Sequence, residues 1–418
     1  MRKRGILFIV LAAGILILLF LLIRPFINIA VKVENLSKDK WQEDIEYLRK
    51  NLPEKHANLF FKITKQEFND SIDKLEQQLN ELDSDEIQME LMSIISNIGD
   101  SHTNISNFES NNKYPFNAEW FKEGLFIVGI SSQYENALGC KITEINGVPI
   151  AAIINKINTL IPHENEFLLK WKNPILLQEP KVLRHLGILN KESKNQDIVV
   201  TLSNQENRDF KIKILPEKSS SIKWINAVDK IHKKSLYLDN NDDFYIKFNE
   251  TDKLIYCRFN NTIGHPSNKE LALLKEMLQE KQAEKLIIDI RDNTGGLYTG
   301  NSSLINIISE SSYFNQKGRL FVIVGRKTFS SGLQYAFEFK NKTNAIFYGE
   351  PTAGKPNHYG NIRSITLPNS KLSVSYSTKY FQYGNGEAFI PEVIVEYSIK
   401  DYLEGIDSVV ERIKSDYK

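Results

Sequence analysis

Cysteine is scarce: the chain has two in 418 residues, Cys140 and Cys257, far apart and each inside a strongly apolar stretch. That excludes a disulfide-built scaffold and leaves one long-range bridge or two buried thiols, the latter being the simpler expectation. An excess of charge is also lacking, with 53 Lys and Arg against 52 Asp and Glu and a formal net charge of +1. A chain so balanced has no electrostatic reason to seek a polyanion, so nucleic acid is not expected as a partner. The seven histidines are scattered, with no pair at metal-ligand spacing. No metal or cofactor is implied. Internal repeats and low-complexity linkers are absent, and at this length two or three packed units are expected.

One long apolar run is present, and it is N-terminal. Met1-Arg2-Lys3-Arg4 precedes 19 uncharged residues from Gly5 to Ile23, followed by Arg24-Pro25. About 20 such residues are needed to cross a hydrocarbon core. A cleaved signal peptide would have a shorter apolar region and a small-residue cleavage site, which Phe20 to Ala30 does not offer. The expectation is an uncleaved single-pass anchor over residues 1–31, with its basic flank cytoplasmic and the rest of the chain extracytoplasmic.

Residues 35–108 read as helical. Trp41, Ile45, Leu48 and Leu52 share one face, and Phe68, Ile72, Leu75 and Leu79 share another between about Lys65 and Leu82. Asp83-Ser84-Asp85 caps a third helix running to about Ile98. Residues 112–215 read as short strands broken by turns: Gly124 to Ile130, a hairpin from Cys140 to Ile150 turning at Asn146-Gly147, and a pair at Val199–Leu202 and Phe210–Ile214. A helix is expected from Ile150 to Leu160. From 216 to 418 strands alternate with helices, and Leu286–Ile290 and Leu320–Val324 are apolar on both faces. That is the pattern of an α/β layered core.

Three segments carry chemistry. In Val322-Ile323-Val324-Gly325-Arg326-Lys327-Thr328-Phe329-Ser330-Ser331-Gly332 a buried strand turns sharply into a helix, with a serine at the junction. Such a turn projects a hydroxyl and sets free helix amides beside it, as acyl transfer requires. Taken alone, the segment is better explained as a plain helix cap. Asp289-Ile290-Arg291-Asp292-Asn293-Thr294-Gly295-Gly296 and Tyr348-Gly349-Glu350-Pro351-Thr352-Ala353-Gly354-Lys355-Pro356-Asn357-His358-Tyr359-Gly360 are further Gly-containing turns, each following a strand. There the backbone can approach a ligand closely.

Together and in this order the segments resemble the tail-specific (carboxy-terminal-processing) protease family, with its D-x-R-x-N-x-G-G turn, its serine at a strand-to-helix turn and its G-E-P-T-x-G-K turn. Lys355 lies 25 positions after Ser330, the family's spacing of lysine and nucleophile, which selects Ser330 over Ser331. Ile98-Gly99-Asp100-Ser101-His102-Thr103 resembles the G-D-x-H-T signature of the tricorn-like branch. The resemblance implies a Ser330 nucleophile with His102 as base, assisted by Ser101, and Lys355 as alternative base or substrate-binding group. Histidine ranks first because its ordinary pKa already suits the task, whereas a lysine must be desolvated or crowded by positive charge. Gly295, Gly296 and Ser331 are the expected oxyanion donors, and Glu387 is the nearest candidate for the branch's orienting glutamate. His56 is expected to be structural. The processing proteases have an Asp where Asn341 stands, so that role is vacant or met elsewhere.

The implied architecture is a crotonase/ClpP-like layered α/β core over 216–418, a small PDZ-like mainly-β domain over 112–215 that would either bind peptide by strand addition or be a degenerate, purely structural module, the helical region and the anchor. The function read is a serine-type endopeptidase or carboxy-terminal-processing peptidase acting on extracytoplasmic proteins or peptides. The alternative is a non-catalytic peptide- or hydrophobic-ligand-binding protein on the same fold.

Overall fold

The structure is a computed structural model and describes residues 36–106, 108–190, 196–239, 242–264, 266–280, 282–298, 300 and 302–417. The expected anchor over residues 1–31 lies outside the described residues, among which no helix is long and apolar enough to cross a membrane.

Six strands form the C-terminal sheet, and their spatial order equals their chain order: Phe244–Asn249, Leu254–Phe259, Lys285–Asp289, Leu320–Val324, Ile346–Gly349 and Val393–Ile394. The first pair is antiparallel and the rest are parallel, and the helices Asn268–Glu280, Ser303–Ser309 and Ser331–Lys342 join the second strand to the fifth in turn. Strand side chains alternate between faces, and here both faces are buried. Ile255, Cys257, Leu286, Ile288, Leu320, Val322 and Val324 pack with Leu274, Leu304 and Leu333 of those helices. Tyr256, Ile287, Phe321 and Ile323 pack instead on Val409, Val410 and Ile413 of the helix Ser408–Asp416. Both cysteines are free and buried, which removes the long-range bridge.

The N-terminal helices are Lys38–Lys55, Lys65–Gln78 and Ser84–Ser96. Thr64 and Asp83 each close a capping box with the glutamate three residues on. Pro53 lies inside the first helix rather than ending it. In the middle region a seven-stranded sheet forms; its hairpin Lys141–Ile145 and Val148–Pro149 turns at Asn146 and Gly147, both at positive φ (53° and 75°). The strand-and-turn reading missed two helices there, Glu166–Leu176 and Pro180–His185. Pro174 hides the first: it sits in the last turn and gives up one backbone hydrogen bond.

A long antiparallel hairpin, Asn357–Thr366 with Ser373–Gln382, also went unread. It pairs with Ile105–Ser106, and its Ile365, Leu372 and Val374 share one core with Trp41, Ile45 and Ile95 of the N-terminal helices and Ile127 and Val200 of the middle sheet. The segment carrying His102 is thereby held against the sheet that carries the three glycine-containing turns.

Candidate active site

Three of the parallel strands end side by side, so the turns that leave their carboxyl ends must meet. Ile290 donates its amide to Ile323 (2.9 Å), and Glu350 donates to Val324 (3.2 Å). Thr328 stitches all three turns: its hydroxyl donates to the Ile290 carbonyl (2.8 Å) and accepts from the Gly325 amide (3.0 Å), while its carbonyl accepts from Gly354 (3.3 Å). Asn293 accepts from the Phe329 amide at its backbone carbonyl (3.0 Å) and from the Gly295 amide at its side chain (3.0 Å). A Cβ on Gly332 would lie 2.2 Å from the Asn293 carbonyl oxygen, so only glycine lets the helix start this close to the turn.

Ser330 occupies the junction, as the N-cap of Ser331–Lys342, with φ 50° and ψ −123° and no side-chain cap hydrogen bond. A capping serine takes extended backbone and accepts an amide through its hydroxyl. Ser330 does neither, so the bland cap reading fails on both counts. Its backbone sits where a side chain is strained, at a cost of about 1–3 kcal/mol. Ser331, by contrast, donates its hydroxyl to the Gly296 carbonyl (2.7 Å) and is buried.

Gly295 (φ 102°) lies against this junction: a Cβ there would come within 2.8 Å of Ser330 Cβ and 2.9 Å of the Ser331 nitrogen. Its own amide is committed to Asn293, which removes it as an oxyanion donor. Among the described residues the amides of Gly296 and Ser331 form no hydrogen bond. Those two remain, beside the serine.

His102 reaches the same place from the loop after the third helix. Its ring stacks on Phe329 (4.4 Å between centroids, 19°) and on His358 (5.6 Å, 16°), which stacks in turn on Phe381 (5.5 Å). The ring is buried, its carbonyl is held by the Ser375 hydroxyl (2.8 Å), and neither ring nitrogen closes a well-formed hydrogen bond. Burial pushes its pKa down from the ordinary 6.5 to about 4, against the pull of Asp100 and with the help of His358. The imidazole is therefore neutral at physiological pH, the form a general base requires.

Asp100 anchors the loop. Although burial opposes it, hydrogen bonds from its neighbours hold its carboxyl below the usual carboxylate range. It accepts from Thr103 (2.6 Å), from the His102 amide (3.0 Å) and from His56 Nε2 (2.9 Å). His56 Nδ1 accepts from the Asn58 amide (3.0 Å), so Nε2 carries the proton. His56 is thus a brace, as expected.

Other predicted residues lie elsewhere. Lys355 Nζ is paired with both oxygens of Glu387 (2.7 and 2.8 Å), a carboxylate 70% exposed. These two are brought to each other, and no contact joins either to Ser330 or His102 among the described residues. Ser101 donates its amide to Glu164 (3.1 Å) and makes no hydrogen bond to His102. Asn341 is exposed on the far end of the helix that Ser330 begins.

Sequence reasoning missed His358, Glu164 and Lys172. His358 donates Nδ1–H to the Lys355 carbonyl (2.7 Å), and burial lowers its pKa. Burial raises Glu164 to about 7, with Asp100 adding to it, and lowers Lys172 to about 8. His358 was visible inside the third turn; nothing in the local sequence marks the other two.

No family model matches the chain, and no curated protein matches it. Among solved structures it resembles mature CPAF complexed with lactacystin, at a TM-score of 0.61 and 13% identity, over 91% of this chain and 98% of that one. Mature CPAF alone matches at 0.60 and 12%, over 91% and 97%. A photosystem II D1 C-terminal processing protease matches at 0.38 and 11%, over 91% and 97%, too low a score to carry an argument. The chain has the mixed α/β fold of the two CPAF structures.

Proposed function

We propose that this chain is a serine-type peptidase in which Ser330 is the nucleophile, His102 the general base, and the Gly296 and Ser331 amides the oxyanion donors. The observation that carries the reading is Ser330 itself, strained at φ 50° at a helix start without using its hydroxyl as a cap. Ser330 Oγ attacks the scissile carbonyl carbon while its proton passes to a His102 ring nitrogen; the tetrahedral oxyanion takes the two free amides, and the same proton then leaves with the amine. His102 stacks on Phe329, the residue before the serine, and catalytic hydrogen bonds often close only once substrate is bound. Leu297 and Ile263, 73% and 52% exposed beside Gly296, offer an apolar lip to the substrate chain. Lys355, tied to Glu387, serves substrate contact at the site's edge rather than proton transfer.

The substrates are proteins or peptides outside the cytoplasm, presented as extended chain, with residues 112–215 acting as a PDZ-like module and the six-stranded ladder as a crotonase-like core. Residues 1–31 hold the enzyme to the membrane. Cleavage near a carboxy terminus follows from the tail-specific motifs.

The test is labelling of the purified full chain with a fluorophosphonate probe. Wild type and Ser331→Ala are expected to label, and Ser330→Ala and His102→Ala to lose labelling by at least a hundredfold, in line with the usual worth of a general base. Lys355→Ala is expected to label normally. A wild type that does not react would favour a second reading, a non-catalytic peptide- or hydrophobic-ligand-binding protein. One observation leans that way: the His102 ring nitrogens are not engaged with the serine.

A further inference from the structure

Around the proposed base lies a set of donor atoms, two of whose residues peptide hydrolysis leaves without a part. Asp100, His102 and Glu164 each point one ligand atom into a common space, all within 4.8 Å of one another. His102 Nδ1 lies 3.9 Å from Asp100 Oδ1, which accepts only a backbone amide (3.0 Å). Glu164 arrives from the loop between the helices Ile150–Asn158 and Glu166–Leu176; its Oε1 accepts the Ser101 amide (3.1 Å), while its Oε2 is sealed from solvent with no partner.

Two features make this more than a cluster of acids. The imidazole is 2% exposed with no partner on either ring nitrogen, and one of those nitrogens faces both carboxylates. A buried polar atom without a partner costs about 1–3 kcal/mol and calls for an explanation. Further, no lysine or arginine ion pair reaches either carboxylate among the described residues, so two acidic groups stand close together with one neutral histidine between them. A dication would satisfy the orphaned nitrogen and the orphaned oxygen together.

We propose that Asp100, His102 and Glu164 form a site for a zinc-class divalent cation, and that the bound ion withholds the His102 imidazole from Ser330. One nitrogen and two carboxylate oxygens suit zinc, whose three-ligand sites keep a fourth position for water. Ligand bonds of about 2.0–2.2 Å put tetrahedral donors roughly 3.3 Å apart, so the three groups must draw in modestly. Calcium would need six to eight oxygens and magnesium an octahedral shell, and neither set is present. The second clause of this proposal rests on the peptidase reading; the first does not.

The experiment is a titration of metal-free full chain with Zn²⁺ against a fluorescent chelator, paired with probe labelling. One ion per chain is expected, with binding weakened at least tenfold by Glu164→Gln and by His102→Ala, and unchanged by Glu166→Gln on the neighbouring helix turn. Co²⁺ bound to wild type should show the visible absorption of a four-coordinate site, a readout that depends on no variant folding. Zn²⁺ should block fluorophosphonate labelling of wild type reversibly and leave Glu164→Gln labelled. Absence of saturable binding, or binding that both variants retain, overturns the site. Binding without any effect on labelling overturns the withholding of His102. A chain that binds zinc but never labels refutes the peptidase reading and leaves the site standing.

Discussion

Ser330 holds a backbone conformation that glycine would adopt without strain, at φ 50°. Replacing it therefore separates strain from chemistry. Ser330→Gly is expected to be more stable than Ser330→Ala by about 1 kcal/mol in urea denaturation, although neither variant labels. Equal stabilities would mean the junction stores no strain. His102 makes a second prediction. Because burial holds its pKa at about 4, the acid limb of the labelling rate should fall well below the ordinary 6.5. Its effect on stability carries a definite sign: between 6.5 and 4 the unfolded chain binds more protons, so stability is lost as pH falls through that range. Glu164, raised from 4.5 to about 7, works the other way and loses stability as pH rises through 7. Glu164→Gln should therefore gain on wild type as pH goes from 4.5 to 7.5, measured as the shift in urea midpoint. Ser330 and His102 could be read from the chain because each sits in a short ordered motif. Glu164 could not: it is set apart by what it faces, not by what flanks it.

Among elements, the loop before Glu166–Leu176 fastens the middle region to the turns of the six-stranded sheet through Asn165. That side chain caps its helix by accepting the Leu168 amide (3.0 Å). It also donates to the carbonyls of Thr352 (3.2 Å), Ala353 (3.1 Å) and Glu387 (2.8 Å). Asn165→Ala removes a cap and leaves three buried or half-buried acceptors unsatisfied, so a loss of about 2–4 kcal/mol is expected in chemical denaturation. A loss below 1 kcal/mol would mean water replaces the amide fully. The periodic helices of the N-terminal region and the both-face apolar strands were legible, since one burial pattern dictates each. The helix Glu166–Leu176 was not, because Pro174 breaks the local signal while Leu168 and Leu176 still bury. The hairpin Asn357–Thr366 with Ser373–Gln382 escaped because its outer residues alternate weakly and its pairing is fixed by packing against the N-terminal helices.

At the scale of the molecule, the Asp-x-Arg-x-Asn motif proves to be a brace as much as a ligand turn. Arg291 is buried between Asp289 (2.8 Å) and Asp407 (2.7 Å), with Tyr256 donating to Asp289 (2.5 Å). Asp407 also caps the C-terminal helix through the Val409 and Val410 amides (3.0 and 3.3 Å). The network thus ties the chain's last helix to the turn that positions Gly295 and Gly296. Asp407→Ala strands half of a buried charge arrangement and should cost about 3–5 kcal/mol, read from thermal or urea unfolding. Labelling at temperatures where the variant remains folded should persist, because Asp407 touches neither Ser330 nor His102.

The chain alone determined the layered α/β core, the N-terminal helices and the order of the three turns. Each depends on spacing within a few residues, where burial and turn geometry act locally. Parallel neighbours then force the turns together, so a serine at one strand end and glycines at the next could be expected to meet. Tertiary structure alone decided which groups remain free once they meet. The Gly295 amide is taken by Asn293, Lys355 by Glu387, and His102 is left unpaired among rings and carboxylates. Hydrogen-bond satisfaction is settled by atoms within about 3 Å in space, and sequence distance holds no record of them.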